Sequence, residues 1–323
     1  MAHAPPELHA IQSSSPITTL RLSQQASVIL ERQLLSEKNP ISALIAKQED
    51  PEKYGIIEQL FFSCLQTGDD RSALLCLEQL TRRFGSSNEK VMGLRGLYEE
   101  AIAENQSDLE HSLRKYDFSL AENPLNLPIL KRRIALLRSL SRPVDAITGL
   151  VELLKAVPTD AEAWCELADL YQSQGLSSQA IFSLEEALLI APNAWNIHAH
   201  LGEVLYTCAR AAETEVSSRY LRRSIQYFCR SVELCDDYLR GFYGLILATS
   251  LQLRREYTAD FTQTPSSTST EDFLPREKVE KLNHLAKKKL EDIVKQRSVD
   301  RQVWEHAQGE LIAAKELLNR ESY

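Results

Sequence analysis

Residues 161–194 read A-E-A-W-C-E-L-A-D-L-Y-Q-S-Q-G-L-S-S-Q-A-I-F-S-L-E-E-A-L-L-I-A-P-N-A. Trp164, Leu167, Ala168 and Tyr171 recur at i, i+3, i+4 and i+7, the apolar stripe of an amphipathic helix. Gly175 marks a turn. Ala180, Leu184 and Ala187 then trace a second stripe, which Pro192 ends because proline has no amide hydrogen to continue a helix. Small residues at Ala168, Ala180 and Ala187 let the two helices approach closely, while Trp164 and Tyr171 fill the wider gaps. The punctuation recurs elsewhere: Pro124, Pro158 and Pro192 stand 34 residues apart. Four residues before each lies Leu120, Leu154 or Leu188, and eleven before each lies Leu113, Ile147 or Ile181. Asn126 and Asp160, two residues after the first two prolines, are good N-caps for a following helix. Several columns at one spacing define an internal repeat.

The order Trp164, Leu167-Ala168, Tyr171, then Ala180, Leu184, Ala187 and Pro192 resembles the tetratricopeptide repeat. Residues 127–160 carry Leu130, Ile134, Leu137, Ala146, Leu150 and Pro158, with Arg133 as the departure. The unit from Trp195 keeps Leu201, Gly202 and Leu205, then gains about ten residues (Arg210–Tyr220) before Phe228 and Ser231 resume the pattern. The fold expected is all-α: a tetratricopeptide superhelix with irregular helical caps. Residues 54–256 form the solenoid, with units near 54–87, 88–126, 127–160, 161–194, 195–238 and 239–256. Residues 1–20 read as a disordered arm and 21–53 as capping helices, with Ser23–Ser36 and Ile41–Gln48 covering the first apolar face. The stretch 257–275, containing T-Q-T-P-S-S-T-S-T (262–270), is too polar to pack and reads as a flexible loop. In 276–323, stripes at Val279, Leu282, Ala286, Leu290, Ile293 and at Trp304, Ala307, Leu311, Ala314, Leu318 predict two closing helices.

Composition agrees. Of 323 residues, 11 are Gly and 12 Pro, too few turn-formers for an all-β chain. The net charge of −8 argues against nucleic acid as the main partner, because phosphate binding needs a basic surface. Six cysteines (64, 76, 165, 208, 229, 235) show no C-x-x-C pair or zinc spacing, and several sit on apolar helical faces, a pattern of a reducing compartment. The lone sequon at Asn105 is of a kind that arises often by chance. The start, M-A-H-A-P-P-E-L-H-A-I-Q-S-S-S-P, has no basic and apolar signal-peptide regions. The longest uncharged run, Ala187–Gly202, contains Pro192, two asparagines and two histidines, so no span is expected and the chain reads as soluble.

Chemistry is sparse. No glycine-rich phosphate loop or nucleophile elbow occurs, and no enzyme activity, metal or cofactor is expected. His198 and His200 are two residues apart on a helix, so their side chains diverge by about 200° and cannot share an ion. Paired acids such as Glu99-Glu100 and Glu185-Glu186 read as solvated surface. Arg276–Arg297 holds eight Lys/Arg against four Asp/Glu, including Lys287-Lys288-Lys289. It is either a solvated helix face or a contact for anionic headgroups or an acidic segment.

Function is expected in the groove lined by the first helix of each repeat, where positions 2, 5, 9 and 12 face the partner. These are Lys131 and Arg138 in one unit, Glu162, Cys165, Asp169 and Gln172 in the next, and Asn196, Ala199, Glu203 and Tyr206 in the third. So mixed a surface suits a protein segment. The clamp by which some tetratricopeptide proteins hold the Hsp70 or Hsp90 C-terminal carboxylate is not reproduced. Its positions fall on Lys131, Ala135, Glu166, Asn196 and His200, of which only Lys131 fits, and Glu166 would repel a carboxylate.

A-L-L-C-L-E-Q-L-T-R-R-F (73–84), E-A-W-C-E-L-A-D-L-Y (162–171), A-I-F-S-L-E-E (180–186), and S-R-Y-L-R-R-S-I-Q-Y-F (218–228) running into G-F-Y-G-L (241–245) are similar to the subunit 2 family of the ER membrane protein complex. The resemblance covers roughly residues 54–255. It implies a non-catalytic scaffold without cofactors on the cytoplasmic face of the endoplasmic reticulum. In that family the subunit holds cytosolic parts of membrane subunits 3 and 5 and binds soluble subunit 8/9, in an assembly that inserts tail-anchored and multispanning proteins. The alternative is a soluble tetratricopeptide adaptor, a chaperone cofactor or RNA-processing subunit.

The repeat register has a direct test. Ala180→Trp overpacks the helix pair and should cost about 1–3 kcal/mol or more, read by thermal melting; an unchanged melting temperature would mean the register is wrong.

Overall fold

A computed structural model describes residues 16–37, 51–211, 215–260, 275–299 and 308–320. Among these, fourteen helices and short turns account for the backbone, with no strand. In chain order they are α1 (Pro16–Glu37), α2 (Pro51–Thr67), α3 (Asp70–Phe84), α4 (Glu89–Ala101), α5 (Gln106–Glu122), α6 (Leu127–Ser139) and α7 (Pro143–Ala156). Then follow α8 (Ala161–Ser173), α9 (Ser177–Ile190), α10 (Trp195–Ala211), α11 (Glu215–Leu234), α12 (Leu239–Asp260), α13 (Arg276–Val299) and α14 (Gln308–Arg320). Helices α6, α8 and α10 begin at 127, 161 and 195, which is the 34-residue period seen in the prolines.

Local chemistry sets the helix starts. Asn126 accepts from the Ile129 amide at 3.2 Å and Asp160 from the Ala163 amide at 3.0 Å. Asp69, Asn88 and Asn105 cap α3, α4 and α5 in the same way. Each such cap contributes about 1 kcal/mol. At the turns, Gly68 (φ 74°) and Gly175 (φ 74°) adopt the left-handed conformation that other residues resist.

Two compact units divide the chain inside α7, Met1–Gly149 and Leu150–Tyr323. In the first, Ala26 and Leu30 of α1 join Ile57, Leu60, Phe61, Cys64, Ala73, Cys76 and Leu77 of the α2–α3 hairpin in one core. Thr67 Oγ1 donates to Ser23 Oγ at 2.7 Å and ties α1 to α2. Helix α1 begins at Pro16, inside the stretch expected to be a disordered arm. Proline suits a first helical turn, and Thr19 is already buried in line with Ser23, Ala26 and Leu30. The expected helix Ile41–Gln48 lies outside the described residues. Arg133, the departure from the repeat pattern, is accommodated by an ion pair to Asp117 (2.6 Å) and by Gly149, against which Ile134 packs.

In the second unit, Ala168, Ala180 and Ala187 are fully buried and pack with Leu184, Leu201, Val204 and Leu205. The ten-residue insertion is not a loop. Helices α8 and α9 have 13 and 14 residues, whereas α10 and α11 have 17 and 20, and each pair is joined by three residues. The insertion therefore lengthens both arms of a hairpin. Ser217 Oγ donates to the Ala209 carbonyl, and Arg255 of α12 reaches the same carbonyl at 2.9 Å as well as Ser217. A second correction concerns α12, which continues through Asp260 into the expected loop; residues 261–274 lie outside the described set. Helix α13 then packs antiparallel to α12. Asn283 donates to Thr249 Oγ1 (2.8 Å) and Ser250 Oγ (3.1 Å), while Arg297 reaches back to the Asp237 carbonyl (2.7 Å). Rather than only closing the end, α13 supplies the second helix of a further hairpin, and Ala286, Leu290 and Ile293 enter the core with Phe242 and Leu245. Of the last predicted stripe, Leu311 and Ala314 are buried on α14, and Trp304 and Ala307 lie outside the described residues.

Phe228 is the keystone of this core, 1% exposed and flanked by two helical glycines. A Cβ at Gly202 would meet its ring at 3.0 Å, and one at Gly244 would overlap it. Gly244→Ala should therefore destabilise by about 1–3 kcal/mol, despite the roughly 1 kcal/mol that alanine gains in a helix. Gly202→Ala should cost less. A melting temperature at or above wild type for Gly244→Ala would place Phe228 elsewhere.

Candidate protein-binding groove

Six of the eight candidate groove residues lie in the second unit. Glu162, Asp169 and Gln172 come from α8, and Asn196, Glu203 and Tyr206 from α10. The first turns of these helices are fixed in the same way. The Trp164 indole Nε1–H donates to the Pro158 carbonyl at 2.9 Å, and His198 Nε2 makes the equivalent 2.9 Å bond to Pro192 one repeat later. A carbonyl only accepts, so His198 carries its proton on Nε2. Its Nδ1 is buried without a partner.

Neighbouring repeats cross-link the acids. His200 Nε2 lies 3.2 Å from Asp169 Oδ1 and 3.5 Å from Gln172 Oε1, so one imidazole of α10 spans two candidate positions of α8. Arg240 of α12 places Nη2 3.2 Å from both carboxylate oxygens of Glu203. Tyr206 is half-buried with Arg210 over its ring at 6.0 Å; burial pushes its phenol up, and Arg210, Arg254 and Arg255 pull it back. Glu162 and Asn196 are exposed, whereas Ala199, one of the positions expected to face the groove, is 1% exposed and belongs to the core. Lys131 and Arg138, exposed on α6, belong to the first unit.

His200 and Arg240 are the residues that sequence reasoning missed. Their signal is a basic group about one repeat after an acid, and the first unit repeats it: Lys90 meets Glu58 at 2.6 Å and Arg132 meets Glu100, which also accepts from Tyr116 at 2.5 Å. Burial, reinforced by Glu100, raises the Tyr116 phenol far above its ordinary value. Among the described residues no three His, Cys, Asp or Glu side chains gather as a metal site requires. The surface presents charge pairs and hydrogen-bonding groups.

Helix hairpins with small residues at their contacts, recurring at 34 residues, define a tetratricopeptide-repeat protein, an all-α solenoid. The C-terminal part of a TPR repeat-containing protein from Cytophaga hutchinsonii shares this fold with a TM-score of 0.50 and 13% identity, over 84% of this chain and 95% of that one. A sequence profile of the EMC2 TPR-like repeat domain matches residues 87–219. The TPR repeat protein oca3 of Schizosaccharomyces pombe is 32% identical over 265 residues, 78% of this chain and 90% of that protein. ER membrane protein complex subunit 2 of Xenopus tropicalis is 34% identical over 194 residues, 60% of this chain and 61% of that protein. The chain belongs to the ER membrane protein complex subunit 2 family.

Cys165 reports on the acidic side of the groove. Burial, then Asp169 and Glu162, push its thiol up to about 11, so near neutral pH its thiolate is on the order of a hundredfold scarcer than in an ordinary cysteine. Alkylation of Cys165 by iodoacetamide, followed by mass spectrometry, should be correspondingly slow and should speed up in Asp169→Asn. A rate equal to that of a free thiol would contradict the arrangement.

Proposed function

We propose that this chain is the tetratricopeptide subunit of an ER membrane protein complex, acting as a non-catalytic scaffold on the cytoplasmic face. It holds the cytosolic parts of subunits 3 and 5 and the soluble subunit 8/9, and so supports insertion of tail-anchored and multispanning proteins. The observation that carries this reading is the family match through the repeats, which reaches 90% of the fission-yeast relative. Among the described residues no helix is long and apolar enough to cross a membrane, which fits a subunit held at the membrane chiefly by its partners. The groove residues Lys131, Arg138, Glu162, Asp169, Gln172, Asn196, Glu203 and Tyr206 are the proposed contacts. At two positions of the chaperone clamp stand Glu166 and an imidazole already engaged by Asp169, which favours an internal protein segment over a terminal carboxylate.

Fractionation tests the assignment. The protein should sediment with ER membranes and move to the soluble pool when the membrane subunits are deleted. Affinity purification should recover those subunits, and Lys131→Glu with Glu162→Lys should reduce recovery severalfold at unchanged melting temperature. Recovery of Hsp70, Hsp90 or RNA factors without membrane proteins would replace this reading with that of a soluble adaptor.

A further inference from the structure

Helix α13 is two-sided. Val279, Asn283, Ala286, Leu290, Ile293 and Val294 are buried, facing α12 and α14. The opposite side carries Lys278, Lys281, Lys288 and Lys289, all exposed, around Leu285, which is 55% exposed. Three of the four carboxylates of 276–297 are matched along the helix. Glu280 meets Arg276 (2.9 Å), Glu277 meets Lys281 (2.6 Å) and Glu291 meets Lys295 (3.8 Å). Asp292 is the remaining acid on the exposed side. Eight cations against four anions give this segment +4, in a chain whose total is −8.

We propose that this face of α13 rests on an anionic phospholipid surface. Charge complementarity selects a negative partner, and three features select a bilayer over an acidic peptide. The cations of this face are lysines, compact charges suited to a diffuse field, rather than the planar forks of arginine that grip single carboxylates. They lie along one exposed helix face, and from Lys278 to Lys289 the row is about 16 Å long, an open array on a convex surface rather than a cleft. Leu285 stands among them as an apolar group that a headgroup region accepts and an acidic peptide does not reward. The arrangement is that of an interfacial amphipathic face, with lysine stems flanking an apolar centre.

The inference needs only the chain itself, so it stands apart from complex membership. Purified full-length protein should float with phosphatidylcholine vesicles containing phosphatidylserine as about a third of the lipid, and not with phosphatidylcholine alone. Raising salt to roughly 0.5 M should release it. Each lysine near such a surface contributes about a fivefold gain in binding, so Lys288→Glu with Lys289→Glu should weaken flotation at least tenfold. Leu285→Gln should weaken it further, all at wild-type melting temperature. Binding that is absent, indifferent to phosphatidylserine, or unchanged in the double variant overturns the proposal. So does binding of a polyglutamate peptide in preference to the vesicles, which would make α13 a site for an acidic protein. Loss of vesicle binding with intact recovery of membrane subunits would leave the scaffold reading standing, and the converse would leave this one.

Discussion

A hairpin of helices as short as Ala161–Ser173 and Ser177–Ile190 cannot bury its own apolar surface. Isolated helices of that length are marginal in water, and tertiary packing must supply their stability. The α8–α9 pair accordingly shares one core with Ile197, Leu201, Val204 and Leu205 of α10, and α10 in turn meets α11 across Gly202. Every hairpin needs a neighbour. From that need follow the small residues at close contacts and the extra helix α1 laid over the α2–α3 pair.

Polar contacts follow the same one-repeat offset. Lys90 to Glu58, Asn126 to Met92, Arg132 to Glu100 and Arg240 to Glu203 each join the start or body of a first helix to its counterpart in the previous repeat. The exposed pairs contribute little to stability, since solvent screens them. Their effect is on alignment, because they fix which charges a groove presents and which it neutralises. Glu203 offers a partner only what Arg240 leaves, whereas Glu162 presents its charge directly.

Much of the fold was legible in residues at fixed spacing. Pro124, Pro158 and Pro192 set the period, Asn126 and Asp160 cap the helices they precede, and the stripe from Val279 to Ile293 faces inward. What escaped had no column to betray it. The contacts of Arg255 with Ser217 and Ala209 depend on a hairpin longer than its siblings, so they fall outside the period. The pairing of α13 with α12 was hidden because a polar stretch separates two halves of one hairpin. At the groove, sequence named the acids but not their cross-repeat partners His200 and Arg240. Ala199 shows why position alone misleads: a methyl group at the expected place is drawn into the core.

The longer α10–α11 hairpin bears on how such a chain can vary. Residues added at a hairpin's tip leave the rotational phase of everything below unchanged, because helical azimuth is counted from the base. Residues inserted mid-helix would turn each later side chain by about 100° and misalign the whole face. Ten extra residues shared between two arms thus preserve the repeat beneath them. The tip becomes a place where relatives can gain or shed whole turns while the helix faces beneath keep their geometry.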